Sequence, residues 1–177
     1  MTFETLKQET IYHGHAFNVR RDEVRLPNQR TTQLDIIEHV GAVTILPLDD
    51  EGRILFVRQY RHAAGRELLE LPAGTLHAGE PAETCALREI REETRYAAGK
   101  MIKLGEFFLA PGYSTEYMVV FLATQLKHDP LPGDLDEFIT VQPIAIEQAY
   151  SMALRGEVLD GKSLAGLLLA RTYLQIS

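Results

Sequence analysis

The sequence predicts an α/β sandwich, a mixed sheet between helices, preceded by an antiparallel β subdomain. Three observations carry this. Short strand-like runs punctuated by Gly, Pro and Asn fill the first sixty residues and return after residue 101. One charged helix interrupts them from Pro81 onward, and apolar-faced helices close the chain. With 177 residues and 45% hydrophobic composition, the chain suits one well-buried domain and is short for two ordinary ones. The expected division is residues 1–40 as a dimerising β subdomain and 41–177 as the main domain.

The elements follow in order. Residues 3–40 alternate loosely, as in Phe17-Asn18-Val19-Arg20 and Leu34-Asp35-Ile36-Ile37, and read as two to four antiparallel strands. Strands patterned this weakly bury little alone and need a partner surface, hence the expectation of a homodimer. His13, His15 and His39 have no metal-ligand spacing and read as strand or turn residues. Gly41–Leu48 reads as a central strand, Asp49–Gly52 as a turn, and Arg53–Tyr60 as the returning strand of a hairpin. Ile102–Leu109 and Tyr117–Ala123 read as a second hairpin around the loop Ala110–Glu116. Residues 127–137 form an acidic, Pro-containing loop, read as a lid carrying Asp134, Asp136 and Glu137. A helix from Ile146 stops at Gly156. Another, from Ser163 to Leu174, shows a mainly apolar face of Leu164, Leu167, Leu168 and Leu174 suited to core packing.

The formal charge of −7, from 18 basic and 25 acidic residues, argues against broad binding to nucleic acid or anionic membranes. The single cysteine, Cys85, permits no intrachain disulfide and reads as a small buried helix residue. The first residues show neither a basic region nor an apolar core of a leader, and the run Leu167–Ala170 is far short of the roughly 20 residues of a membrane span. A cytoplasmic protein is the expectation.

Chemistry concentrates between Glu70 and Tyr96. Pro81 suits the first helical position, with Glu80 at the N-cap. Glu89, Glu92 and Glu93 stand at i, i+3 and i+4, so they share one helix face within a turn. Like charges there repel, and carboxylates late in a helix oppose its dipole. Arg88, Arg91 and Arg95 offset part of that cost in a merely solvated face. A hard divalent cation would turn the repulsion into attraction. Arg58, Arg61 and Arg66 enter the loop ahead of this helix, where forked donors suit a diphosphate.

Gly74, five residues, Glu80, seven residues, then Arg88-Glu89-Ile90-Arg91-Glu92-Glu93 resembles the Nudix box, G-x5-E-x7-R-E-U-x-E-E-x-G-U, over the 23 positions Gly74–Tyr96. The box's final Gly is Arg95 here and its last aliphatic residue is Tyr96, so the helix is expected to run on and end at Gly99. The pattern Arg58-Gln59-Tyr60-Arg61, and Pro111 in its Pro-Gly-x-Ser-x-Glu-like context, resemble the ADP-ribose pyrophosphatase subgroup. The resemblance implies the Nudix fold and metal-dependent hydrolysis of a nucleoside diphosphate sugar, ADP-ribose first, with GDP-mannose or another nucleotide sugar as the nearest alternative. A Nudix-fold sensor that binds such a ligand without cleaving it is the alternative from another class. Implied metal ligands are Glu89, Glu92, Glu93, Glu137 and the Ala73 carbonyl, holding Mg²⁺, with Mn²⁺ as the second candidate. Glu92, Glu137, Glu116 and Arg88 are the catalytic candidates. Arg61, Arg58, Glu70 and Glu116 are the substrate-binding candidates. The subgroup's general base falls on Leu135, which cannot serve, leaving Glu92, Glu116, Asp134 and Asp136 as substitutes.

Overall fold

Three consecutive strands, β1 (Glu4–His13), β2 (Asn18–Arg25) and β3 (Thr31–Glu38), pair antiparallel in the order β1-β2-β3. The computed structural model describes residues 2–133 and 137–174. These strands belong to a compact unit of residues 1–41 with 108–117, and residues 42–107 with 118–177 form a second unit. Thus the stretch 108–117, which the expected boundary at residue 40 assigned to the main domain, clusters with the first unit. Ile37 joins it there, its N–H donating to the Tyr113 carbonyl at 2.8 Å. On β1 every residue is exposed, Ile11 and Tyr12 among them.

In the second unit, β4 (Ala42–Pro47) is buried along its whole length, as suits a strand covered on both faces. It pairs in parallel with β9 (Tyr117–His128) and antiparallel with β7 (Ala73–Thr75). With β8 (Tyr96–Phe108) these make a four-stranded sheet in the order β7-β4-β9-β8, the mixed sheet of the expected sandwich. A second sheet, β10-β5-β6, is antiparallel and uses β5 (Arg53–Arg61), β6 (Arg66–Glu70) and β10 (Thr140–Ala145). The expected hairpin of residues 41–60 is therefore corrected. Both strands and the turn exist, but β4 and β5 lie in different sheets, joined at the turn by a Leu48–Ile54 bridge. The physical reason is that each strand finds its ladder elsewhere, β4 with β9 and β5 with β10 and β6.

Helix α1 (Ala82–Thr94) packs on β4 and β7, α2 (Ile146–Leu154) on β10 and β5, and α3 (Gly161–Ala170) on β4. Phe56, Leu46, Leu71, Leu122 and Leu167 are core residues joining these layers. Gly166 lets α3 approach closely: a Cβ there would stand 2.6 Å from Leu71 Cδ1. No helix among the described residues is long and apolar enough to cross a membrane.

Both expected ends of α1 are corrected. Pro81, not Glu80, is the N-cap, in extended conformation, because the Glu80 carboxylate is drawn instead to the His77 N–H and the Arg88 guanidinium. At the other end the helix stops at Thr94 rather than Gly99. Arg95 adopts the left-handed conformation at φ 71°, its N–H donating to the Arg91 carbonyl at 3.1 Å and its own carbonyl accepting from Asp129 N–H at 3.0 Å. Gly99 lies within β8, where a Cβ would stand 2.9 Å from the Gln125 Cβ. A non-Gly residue in the left-handed region costs roughly 1 kcal/mol or more. Arg95→Gly should therefore raise stability by about 1 kcal/mol and the melting temperature by about 2–4 °C. An unchanged or lowered Tm in a thermal melt would show that the Arg95 side chain offsets its backbone strain.

Candidate active site

Helix α1 packs against β7 so that its acidic face looks onto the Ala73–Gly74 backbone. Glu93 is 6% exposed, and its Oε2 accepts the Ala73 N–H at 3.2 Å. Glu89, 9% exposed, lies so close to Gly74 that a Cβ there would fall 1.9 Å from the carboxylate. That contact gives the first Gly of the motif its physical reason. The backbone must pass where any side chain would displace a functional carboxylate.

Arg88 ties the cluster together. Its Nη1 donates to Glu89 Oε1 at 2.6 Å and to Glu92 Oε2 at 2.8 Å, while Nε and Nη2 donate to the two Glu80 oxygens at 3.2 Å each. The Arg88 hydrogen bond holds the Glu80 carboxyl down at about 2. Burial lowers the Arg88 guanidinium, but its contacts with Glu80, Glu89 and Glu92 outweigh this and raise it. Burial pushes Glu89 up, with Glu92 and Glu137 adding to the rise against Arg88. Glu93 is driven well above the usual carboxylate range by burial first, then by the charges of Glu137 and Glu89. Cys85 is buried as expected, and burial pushes its thiol up to about 12, so it is no nucleophile.

Beside this face opens a cleft of about 520 Å³, lined by Glu92, Glu93, Arg95, Pro132, Gly133, Glu137 and Thr140. The volume suits a small-molecule ligand. Leu131, another lining residue, is moored to α1, its N–H donating to the Arg91 carbonyl at 3.3 Å, and just before it Arg91 Nε donates to the Asp129 carbonyl at 3.1 Å. Asp134, Leu135 and Asp136, the lid residues considered as base or departure, lie outside the described residues.

The arginines part company. Arg61, through Nε and Nη2, grips the two Glu70 oxygens at 2.8 and 2.7 Å, and Glu70 is 1% exposed. Arg58 instead donates to Gln142 Oε1 at 2.6 Å across the β5–β10 ladder. Glu116 belongs to the other compact unit, where its N–H donates to Ser114 Oγ at 3.1 Å. The structure thus brings Ala73, Arg88, Glu89, Glu92, Glu93 and Glu137 together and pairs Arg61 with Glu70. Sequence reasoning missed Lys162, whose ammonium bonds Glu70 Oε2 and stands 3.0 Å from Asp160 Oδ2. The signal was the polar Asp160-Gly161-Lys162-Ser163 start of an otherwise apolar helix.

Among the described residues, no three His, Cys, Asp or Glu side chains already surround a common point closely enough to hold an ion. Arg88 holds Glu89 and Glu92, and Glu93 is turned onto the Ala73 N–H. The donor chemistry nevertheless fits a hard divalent cation. Every candidate is an oxygen, and the buried Glu89–Glu93 pair carries repulsion that a cation would relieve.

Comparison with known proteins finds relatives over most of the chain. An ADP-ribose pyrophosphatase of Mycobacterium tuberculosis (strain ATCC 25618 / H37Rv) is 42% identical over 171 residues, 94% of this chain and 82% of its own. One of Bacillus subtilis (strain 168) is 38% identical over 162 residues, 90% of this chain and 88% of its own. The crystal structure of an ADP compounds hydrolase shares the fold, with a TM-score of 0.88 at 22% identity, covering 99% of this chain and 95% of that one. The NUDIX domain family model matches residues 38–166, a span that holds α1, the cleft beside it and the Arg61–Glu70 pair, and the chain belongs to that family.

Proposed function

We propose that this NUDIX pyrophosphohydrolase cleaves the diphosphate of a nucleoside diphosphate sugar, with ADP-ribose the preferred substrate. The observation that carries the reading is the buried Glu89–Glu93 pair beside a ligand-sized cleft that also takes in Glu137. Divalent cations, Mg²⁺ first and Mn²⁺ second, held by Glu89, Glu92, Glu93, Glu137 and the Ala73 carbonyl, would ease proton loss from water and offset the diphosphate charge. Arg88 orients the carboxylates it bonds. Arg61 meets a phosphate oxygen through the guanidinium edge that Glu70 leaves open, and Arg58 stands in reserve on the same strand. Water adds to one phosphorus, the bridging P–O bond breaks, and ADP-ribose gives AMP and ribose 5-phosphate. Glu92 and Glu137 are the candidates to take the proton from that water, since Leu135 has no basic group.

Initial rates on ADP-ribose, GDP-mannose and other nucleotide sugars, with Mg²⁺ or Mn²⁺, test this directly. The highest kcat/KM should fall on ADP-ribose. A preference for GDP-mannose would move the assignment to that sugar. Tight binding without turnover under either cation would make the chain a sensor. Glu137→Gln should lower kcat by about 10–100-fold with little change in KM, because its contribution belongs to the loaded, reacting state. Full activity in that variant would remove Glu137 from the chemistry.

The finer assembly is also proposed. Residues 1–40 with their exposed Phe3, Ile11, Tyr12 and Phe17 form a homodimer surface, and 41–177 is the catalytic domain. Light scattering should give a dimer, and removing residues 1–38 should yield aggregate or an inactive monomer. An active, monodisperse monomer would dispose of the idea. A cytoplasmic setting accords with the lone buried thiol of Cys85.

A further inference from the structure

We propose that Lys162 is a positioning residue of the active site: by sharing Glu70 Oε2 with Arg61 and pairing with Asp160, it offsets the carboxylates around Arg61 and leaves that guanidinium attractive to the diphosphate. The inference rests on the diphosphate reading above.

The geometry makes the lysine more than a helix accessory. Helix α3 starts without it, since Asp160 Oδ2 accepts the Ser163 N–H at 3.0 Å and completes the N-cap. The helix is docked without it too, since Ser163 Oγ accepts the Leu71 N–H at 2.7 Å. Lys162 adds a charge, only 9% exposed, to a place where an ammonium is costly to bury. What it touches is Glu70 Oε2, the same oxygen that accepts Arg61 Nη2 at 2.7 Å, together with Asp160 Oδ2 at 3.0 Å.

Arg61 faces the charges of both Glu70 and Asp160. Lys162 pairs with both carboxylates and brings the four groups to neutral; without it Arg61 would sit in a net anionic cluster that repels a diphosphate. Glu70 occupies Nε and Nη2, so Nη1 is the edge left for a phosphate oxygen, and the Arg61 side chain is 40% exposed. The group also lies next to the catalytic face, since β6 ends at Glu70 and Ala73, whose N–H donates to Glu93 Oε2, opens β7 just beyond it.

A double-mutant cycle between Lys162 and Arg61 tests this, read as KM and kcat on ADP-ribose and as calorimetric Kd for α,β-methylene ADP-ribose. Lys162→Met should raise KM and Kd about tenfold, the size of one charge-assisted contact, with kcat nearly unchanged. Lys162→Arg, which keeps the cation, should stay close to wild type. In an Arg61→Ala background Lys162→Met should change Kd less than about twofold, because its route to the ligand is gone. Equal losses in both backgrounds, or an unchanged Kd in Lys162→Met alone, would overturn the proposal. If Lys162→Met is insoluble, Lys162→Gln carries the same cycle. A wild type that binds the analogue but turns over no nucleotide sugar would sink the hydrolase reading and leave the Kd cycle to judge Lys162.

Discussion

Glu93→Gln is expected to remove nearly all turnover while leaving the fold intact. The side chain is 6% exposed, and its carboxylate sits beside Glu89 with the charge of Glu137 acting on both. A neutral amide of the same shape keeps the acceptor for the Ala73 N–H but gives up the charge that attracts a cation. Losing one such ligand should lower kcat by at least about 10²-fold, several kcal/mol of transition-state stabilisation. Binding of Mn²⁺, followed by electron paramagnetic resonance, should weaken in parallel. Wild-type kcat at saturating Mg²⁺ would exclude Glu93 as an essential ligand.

The same substitution should stabilise the protein in chelator, and the sign follows from the pKa. Burial raises Glu93 above its unfolded value, so between the two values the folded chain holds a proton that the unfolded chain has released. Stability of the metal-free protein therefore falls as pH rises from the ordinary carboxylate range through the raised value. Glu93→Gln removes that slope, so wild type and variant should melt alike at low pH and diverge in the variant's favour at neutral pH. Equal melting across the whole range would mean that the unloaded site stores no repulsion at this residue.

Much of this site was legible because three of its carboxylates come from one helical turn, where spacing alone sets a common face. Glu89, Glu92 and Glu93 needed no tertiary information beyond the 3.6-residue period. The helix ends were less readable. Where the box carries Gly, Arg95 adopts the left-handed conformation itself, and local propensity offered no reason to expect that. The pairing of β4 and β5 failed for a related reason: a good turn at Asp49–Gly52 does not say which ladder each strand will join. Lys162 escaped because it meets Glu70 from 92 residues away, a contact that only the packing of α3 creates. Glu80 was placed as a cap when its real partner, Arg88, is two turns along.

Gly74→Ala should be nearly as damaging as loss of a ligand, although it adds only a methyl group. No left-handed φ is involved at Gly74, so the effect is steric rather than conformational. A Cβ there would lie 1.9 Å from both Cδ and Oε1 of Glu89, well inside contact distance. Backbone on either side is held, Ala73 and Gly74 by pairing with Thr44 and Val43, so the carboxylate is the part that moves. Because it is the end of a flexible side chain, the fold should survive at a cost of about 1–3 kcal/mol. Activity should not. Swinging Glu89 away breaks its 2.6 Å bond to Arg88 and withdraws an oxygen from the cation cluster, so kcat should fall about 10²-fold or more. The double variant Gly74→Ala/Glu89→Ala separates the two effects, since removing the displaced side chain should recover stability toward that of Glu89→Ala without recovering turnover. If Gly74→Ala alone retains wild-type kcat, Glu89 tolerates displacement and its place among the ligands is lost.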